Sequence, residues 1–228
     1  MKTHLKHIFF DLDHTLWDFD KNSALTFKKI FGIHDIKINI DEFLEVYEPI
    51  NLNYWKYYRE ERVSKKELRY GRLKESFDLV KYKIDDDLIN KLSEDYITYL
   101  TSYNHLFEGA HDTLQYLMNK YQLHIITNGF GEAQQKKVEK SKIKEFFKTI
   151  TDSEMVGVKK PNPIIFNYAL EQAEAQPQES LMIGDSLEAD IEGAQGVGME
   201  VLLFDYKQRH NKTPIQRITH LNAIQSLL

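Results

Sequence analysis

The chain has 228 residues, a net charge of −5, a hydrophobic fraction of 42% and no cysteine. That is enough apolar material for one large or two modest domains, and it excludes disulfides and thiolate chemistry while fitting a reducing compartment. The charge is spread without the basic stripe of nucleic-acid binders, no run of about 18 apolar residues could span a membrane, and the N-terminus reaches Asp11 without a signal peptide's apolar region. The expectation is a cytoplasmic protein that engages neither a nucleic acid polymer nor a membrane.

The first strand signal is Lys6–Phe10, and it runs into Asp11-Leu12-Asp13-His14-Thr15. Two carboxylates two residues apart at the end of a buried strand are costly, because both cannot face the core and close like charges resist joint ionisation. A cation, acid/base chemistry or a turn, where Asp is common, would account for them. From Asp20 to Ser102 the pattern is helix after helix. Asp41 to Arg62 places Phe43, Leu44, Tyr47, Ile50, Tyr54, Trp55 and Tyr58 near a 3.6-residue period, with Pro49 expected to kink or split the helix. Asp85-Asp86-Asp87 opens a further helix, where acidic residues suit the dipole, with Leu88, Leu92, Tyr96 and Tyr99 as its inner face.

Beyond that block, strands and helices alternate. Strand signals are Leu123–Thr127, Lys148–Thr151, Leu181–Ile183 and Val201–Phe204. Between them, a helix over Ala110–Tyr121 carries Leu114, Leu117, Met118 and Tyr121 on one face; Asn162-Pro163 starts another with Asn as its cap and Pro in its first position; and Leu187–Val197 is a short third. Short apolar strands alternating with helices predict an α/β fold, a doubly wound parallel sheet. The all-helical block is then an insertion after the first strand. The predicted domains are an α/β core of residues 1–18 and 103–228 and a helical domain of residues 19–102, with hinges near Trp17–Asp20 and Thr101–Leu106.

Open parallel sheets bind ligands at the carboxyl ends of their strands. One rim would therefore collect Asp11 and Asp13, then Thr127-Asn128-Gly129, then Gly184-Asp185-Ser186 with Asp190 close behind, and Lys160 from Val158-Lys159-Lys160-Pro161. Four carboxylates against one lysine repel strongly unless a hard cation such as Mg²⁺ joins them. A hydroxyl, backbone N–H groups and a lysine suit a phosphate. A metal, a phosphate site and a carboxylate free to attack describe phosphoryl transfer through an aspartyl-phosphate.

Four segments carry a family likeness: Phe10-Asp11-Leu12-Asp13-His14-Thr15-Leu16, Ile125-Ile126-Thr127-Asn128-Gly129, Gly157-Val158-Lys159-Lys160-Pro161-Asn162-Pro163, and Ile183-Gly184-Asp185-Ser186 with Asp190-Ile191-Glu192-Gly193-Ala194. In order and spacing the chain resembles the haloacid dehalogenase (HAD) superfamily from about Ile8 to Phe204. His14 stands where many members have Gly, and a turn with positive φ there would suit His less. The resemblance implies a Rossmann-like core with an inserted helical cap that closes over small substrates. It makes Asp11 the nucleophile and Asp13 the general acid/base, with Mg²⁺ held by the Asp11 carboxylate, the Asp13 main-chain carbonyl and the Asp185 carboxylate. Thr127 and the Asn128 N–H would bind phosphate oxygens, Lys160 would offset charge, and Asp190 would orient Lys160 or a metal-bound water. Lys159 is read as a surface lysine.

Asp13 suits a phosphate ester, whose leaving oxygen needs a proton, better than a halide, which leaves unaided. Ile126-Thr127-Asn128-Gly129-Phe130, Val156 to Pro163 and Phe166 to Ala173 look like the pyrimidine 5′-nucleotidase branch. The implied activity is a Mg²⁺-dependent phosphomonoester hydrolase for a nucleoside 5′-monophosphate, with a sugar phosphate, phosphoglycolate or a mutase reaction as alternatives, and a non-catalytic phospho-ligand binder as a third. Trp17, Phe19, Tyr54, Trp55 and Tyr58 are candidates for contacting the leaving group, against the plainer reading that such aromatics are core.

Overall fold

The computed structural model describes residues 4–228. In chain order its main elements are β1 (His7–Phe10), α1 (Phe19–Ile33), α2 (Ile40–Arg59), α3 (Lys65–Leu79), α4 (Asp86–Leu100), α5 (Ala110–Leu117), β2 (Gln122–Thr127), α6 (Gly131–Lys140), β3 (Phe147–Asp152), α7 (Ser153–Val156), α8 (Pro163–Gln172), β4 (Ser180–Gly184), α9 (Gly193–Gly196), β5 (Glu200–Phe204) and β6 (Arg217–Ile218). They form two compact units: residues up to Phe19 together with Asn104–Leu228, and Asp20–Tyr103.

The first unit is a six-stranded sheet in the order β3-β2-β1-β4-β5-β6, parallel throughout. β1 is its centre and is buried along its whole length, as an apolar run without alternation demands when both faces are covered. Phe9, Ile126, Ile165, Phe166, Leu170, Met182 and Met199 share one core cluster. The chain leaves β1 for β2 and β3 on one side and returns to β4 on the other, so the strand order reverses at β1. A reversal opens a crevice at the carboxyl ends of the strands. β6, whose two residues are too short to leave a pattern, was not anticipated from the sequence.

The second unit is four helices around an aromatic centre. Phe27 packs against Phe31, Phe43, Tyr47 and Tyr96 with ring centroids 4.6–5.6 Å apart, and Phe77 joins through Phe31 and Phe43. Caps set the helix starts: Asn39 accepts from the Asp41 and Glu42 amides, Ser64 and Glu67 form a capping box, and Asp85 accepts from the Leu88 amide. Each satisfies a donor that would otherwise be orphaned.

Three local expectations are corrected. Of the kink or split expected at Pro49, the split does not occur: α2 runs unbroken from Ile40 to Arg59. Pro49 and Glu45, whose carbonyl would have taken the missing N–H bond, are exposed, so water can serve that carbonyl, while buried Phe43, Tyr47 and Ile50 anchor the opposite face. On α4 the buried face is Ile89, Leu92, Tyr96 and Leu100; Leu88 and Tyr99 sit one position off it. Helix α5 ends at Leu117, and Met118, placed on its inner face by periodicity, is exposed. Among the described residues no helix is long and apolar enough to cross a membrane.

β1 and β2 also bury two histidines. His7 Nδ1 lies 3.2 Å from His124 Nε2, and His124 Nδ1 lies 2.8 Å from Thr149 Oγ1. Burial, then the neighbouring His7 and Lys148, push His124 down to about 3. Between the ordinary imidazole value near 6.5 and 3, the unfolded chain binds a proton that the folded one refuses. Stability from this site is complete above that ordinary value and is lost as pH falls through the window, at up to about 1.4 kcal/mol per pH unit. Urea unfolding of the His124→Gln variant should therefore show a shallower loss of stability between pH 6.5 and 4 than the unmodified chain; equal slopes would refute the assignment.

Candidate active site

The Asp11 amide continues the sheet ladder, donating to the Ile183 carbonyl at 2.9 Å, which fixes the carboxylate at the mouth of the crevice. The turn after it is closed by Leu16 and Trp17 amides on the Leu12 carbonyl. His14 takes the left-handed conformation (φ 64°), the strained state that the sequence made uncomfortable for His. Its Nδ1 lies 2.9 Å from the Tyr206 hydroxyl, so a side-chain contact compensates the backbone.

Lys160 reaches into the centre of the crevice. It is 1% exposed, and its Nζ donates to Asp11 Oδ1 (2.7 Å), Asp190 Oδ1 (2.6 Å) and the Ile126 carbonyl (2.7 Å). All three ammonium protons are thus used. Asn128 grips the same residue by its backbone: the Lys160 amide donates to Asn128 Oδ1 at 2.7 Å, and Asn128 Nδ2 donates to the Lys160 carbonyl at 2.9 Å. The peptide bond between Lys160 and Pro161 is cis. Lys159, half-buried, is not among these contacts.

Asp190 accepts a second bond, from the Ser186 amide to Oδ2 at 3.0 Å. It sits against Gly184, where a Cβ would lie 2.3 Å from Oδ2; only a residue without a side chain lets the carboxylate approach the strand end. Carboxylate oxygens of Asp11, Asp185 and Asp190 all lie within 4.8 Å of one another. The structure thus brings together Asp11, Asp185, Asp190 and Lys160.

The charges do not balance. Burial, then Asp190 and Asp13, raise Asp11 to about 7 although Lys160 opposes them. Burial, then Asp11 and Asp190, hold Asp185 well above the carboxylate range. For Lys160, burial would lower the value, and Asp11 and Asp190 overcome it, keeping it above the ordinary lysine range. An all-oxygen set short of positive charge is what a hard divalent cation relieves. Asp190 already accepts at both oxygens, which leaves Asp11 and Asp185 the carboxylates of the cluster with more capacity for an ion.

Asp13 lies apart from this cluster. Its carboxylate is held by α6: Lys137 Nζ donates to Oδ1 and Oδ2 at 2.6 and 2.8 Å, and Gln134 Nε2 to Oδ2 at 3.0 Å. The same Nε2 donates to Thr127 Oγ1 at 2.6 Å. Gly129 makes room, since a Cβ there would lie 2.3 Å from the Gln134 side chain. Thr127 also accepts from the Gly129 amide at 3.1 Å. A hydroxyl that accepts twice has its own proton left to donate. Sequence reasoning missed Gln134 and Lys137. The available signal was weak: two polar residues on the face of α6 that carries buried Val138.

Of the aromatic candidates, Trp17 is wholly buried with the Lys137 ammonium 4.4 Å from its ring centroid. Phe19 is 6% exposed. Tyr54, Trp55 and Tyr58 on α2 are half-buried.

Residues 8–204 match the model of the haloacid dehalogenase-like hydrolases, and the chain belongs to that family. It is a phosphatase of the family by the company it keeps. Pyrimidine 5′-nucleotidase YjjG of Escherichia coli is 31% identical over 97% of this chain and 96% of that protein. Pyrimidine 5′-nucleotidase PynA of Streptococcus pneumoniae is 32% identical over 98% and 93%. Among solved structures, that of the HAD hydrolase YfnB of Bacillus subtilis, bound to magnesium and described as revealing interdomain movement, is 29% identical, covers 98% of both chains and has a TM-score of 0.87.

The Lys160→Met variant should lose about 3–5 kcal/mol of unfolding free energy at pH 8, because two buried carboxylates lose their counter-charge. Below pH 6 the loss should shrink, since Asp11, already raised to about 7, then takes up a proton instead. Denaturant curves at both pH values test this; a pH-independent loss would mean the lysine acts by packing alone.

Proposed function

We propose that the protein is a Mg²⁺-dependent phosphatase that works through an aspartyl-phosphate on Asp11, and that its substrates are nucleoside 5′-monophosphates, pyrimidine ones preferred. The observation that carries the reading is Asp11 itself. It is a buried carboxylate at the reversal of the sheet, anchored through Oδ1 by Lys160 and crowded by Asp185 and Asp190, with its second oxygen left for attack. Mg²⁺, held by Asp11, Asp185 and the Asp13 main-chain carbonyl, would supply the positive charge this cluster lacks and screen the phosphate from the attacking carboxylate.

In this reading Asp11 attacks phosphorus and displaces the leaving oxygen, which Asp13 protonates. Asp13 then takes a proton from the water that cleaves the acyl phosphate, returning Asp11 and releasing phosphate. Thr127 donates its remaining proton, and Asn128 its N–H, to phosphate oxygens. Lys160 offsets their charge and Asp190 holds Lys160 in place. The helical unit acts as a cap, and Tyr54, Trp55 and Tyr58 are its candidates for stacking on a base. The two nucleotidase relatives, matched over nearly the whole chain, support the substrate class.

Asp11→Asn should abolish turnover and Asp13→Asn should cost about 10²–10⁴-fold while retaining the fold. Chelation should stop phosphate release reversibly, and Mg²⁺ should raise the melting temperature, as any ligand of the folded state does. Near-normal activity of Asp11→Asn, or full activity of metal-stripped protein in chelator, would refute the mechanism.

The substrate is tested separately by kcat/KM for UMP, dUMP and dTMP against AMP, glucose 6-phosphate, glyceraldehyde 3-phosphate and phosphoglycolate. The pyrimidine nucleotides should lead. A tenfold win for a sugar phosphate or phosphoglycolate, about 1.4 kcal/mol at the transition state, would replace the nucleotidase by the sugar-phosphatase reading and leave the chemistry standing.

A further inference from the structure

Lys137 is 3% exposed, unlike the lysine beside it on α6. Its neighbour Lys136 pairs along the surface with Glu132, four residues back. Lys137 instead turns inward and pairs with Asp13. Taking an ammonium out of water costs several kcal/mol, which one ion pair does not reliably return. The side chain is further confined by aromatic rings, its Nζ lying 4.4 Å from the Trp17 ring centroid and 5.6 Å from that of Phe19. Gln134 stands three residues before it, hence on the same face of α6. That amide touches Asp13 at 3.0 Å and Thr127 at 2.6 Å.

We propose that Lys137 is a positioning residue for Asp13, and that α6 is a bracket which sets the proton-transfer carboxyl against the phosphate-binding hydroxyl of Thr127. The proposal rests on the roles given to Asp13 and Thr127 above. Asp13 follows Asp11 by two residues on a turn, and turns tolerate small rotations that a proton transfer does not. A rigid helix carrying two donors removes that freedom. Lys137 fixes both carboxylate oxygens, Gln134 takes the second lone pair of Oδ2, and Oδ1, which accepts from Lys137 alone, keeps a lone pair for the proton that Asp13 carries. Gln134 registers this carboxyl to Thr127, so that the leaving oxygen of a phosphate held at Thr127 meets Asp13 at a set place. Lys137 itself touches neither the phosphate nor the leaving group in this arrangement.

A misplaced acid matters most when the leaving oxygen needs a proton. The test compares phenyl phosphate, whose phenolate leaves poorly, with p-nitrophenyl phosphate, whose nitrophenolate leaves without help. Both are measured with Mg²⁺ as kcat/KM, which covers the steps through departure of the leaving group. Lys137→Met should lower kcat/KM for phenyl phosphate at least tenfold more than for p-nitrophenyl phosphate. Lys137→Gln, which keeps a polar tip, serves if the Met variant does not fold, and should show the same selective loss. A loss of equal size on both esters, or no loss on either, in a variant that melts cooperatively, would overturn the bracket and leave Lys137 a stabilising ion pair. An unmodified enzyme that releases phosphate from neither ester nor from any nucleotide would overturn the phosphatase reading, and the bracket with it.

Discussion

The contact on which the rest of the site depends is the buried ammonium of Lys160 between Asp11 and Asp190. Each of the three charges alone would be expelled from the interior or neutralised. Together they hold a carboxylate in place at a strand end without satisfying it. One oxygen of Asp11 is spoken for, and burial together with the neighbouring carboxylates keeps Asp11 near 7 and Asp185 well above the usual carboxylate range. An anion trapped in this way favours a cation and can serve as a nucleophile. The supports around Lys160 follow from the need to keep that ammonium aimed: both ends of the Asn128 side-chain amide on its backbone, the Ile126 carbonyl on its tip, and the Ser186 amide behind Asp190.

The sheet supplies the place. Because β1 lies between β2 and β4, three strand ends face one crevice, and each delivers its polar residues where its apolar run stops. β1 delivers Asp11, β2 delivers Thr127, and β4 delivers Asp185. Two glycines permit the close approaches. Gly184 admits the Asp190 carboxylate and Gly129 admits the Gln134 amide. Neither has a positive φ; what matters at both is the space a Cβ would take.

Much of this was legible from the chain. Unbroken apolar runs at Phe9 and Ile125 meant strands buried on both faces, and their alternation with helices meant a parallel sheet. The acidic and glycine-bearing segments at the strand ends marked the rim. Helix faces were less legible. On α4 the period allowed two adjacent faces, and packing against the aromatic centre selected Ile89 and Leu100 over Leu88 and Tyr99. Pro49 read as a kink or a split because its cost is local, whereas the burial of Phe43, Tyr47 and Ile50 that keeps the helix unbroken comes from other helices.

The sequence by itself determined the class of fold, the family and the rim on which Asp11, Asp13, Thr127, Lys160, Asp185 and Asp190 would gather, because strand periodicity and the order of strand ends are local properties of a chain. Tertiary structure alone decided how those residues divide. Lys160 joins Asp11 to Asp190 across separations of 149 and 30 residues, and Asp13 turns to Lys137, 124 residues away. No spacing rule reaches that far. A buried lysine and a surface lysine are the same letter, and only the packing around Trp17 and Thr127 makes Lys137 the one and Lys136 the other.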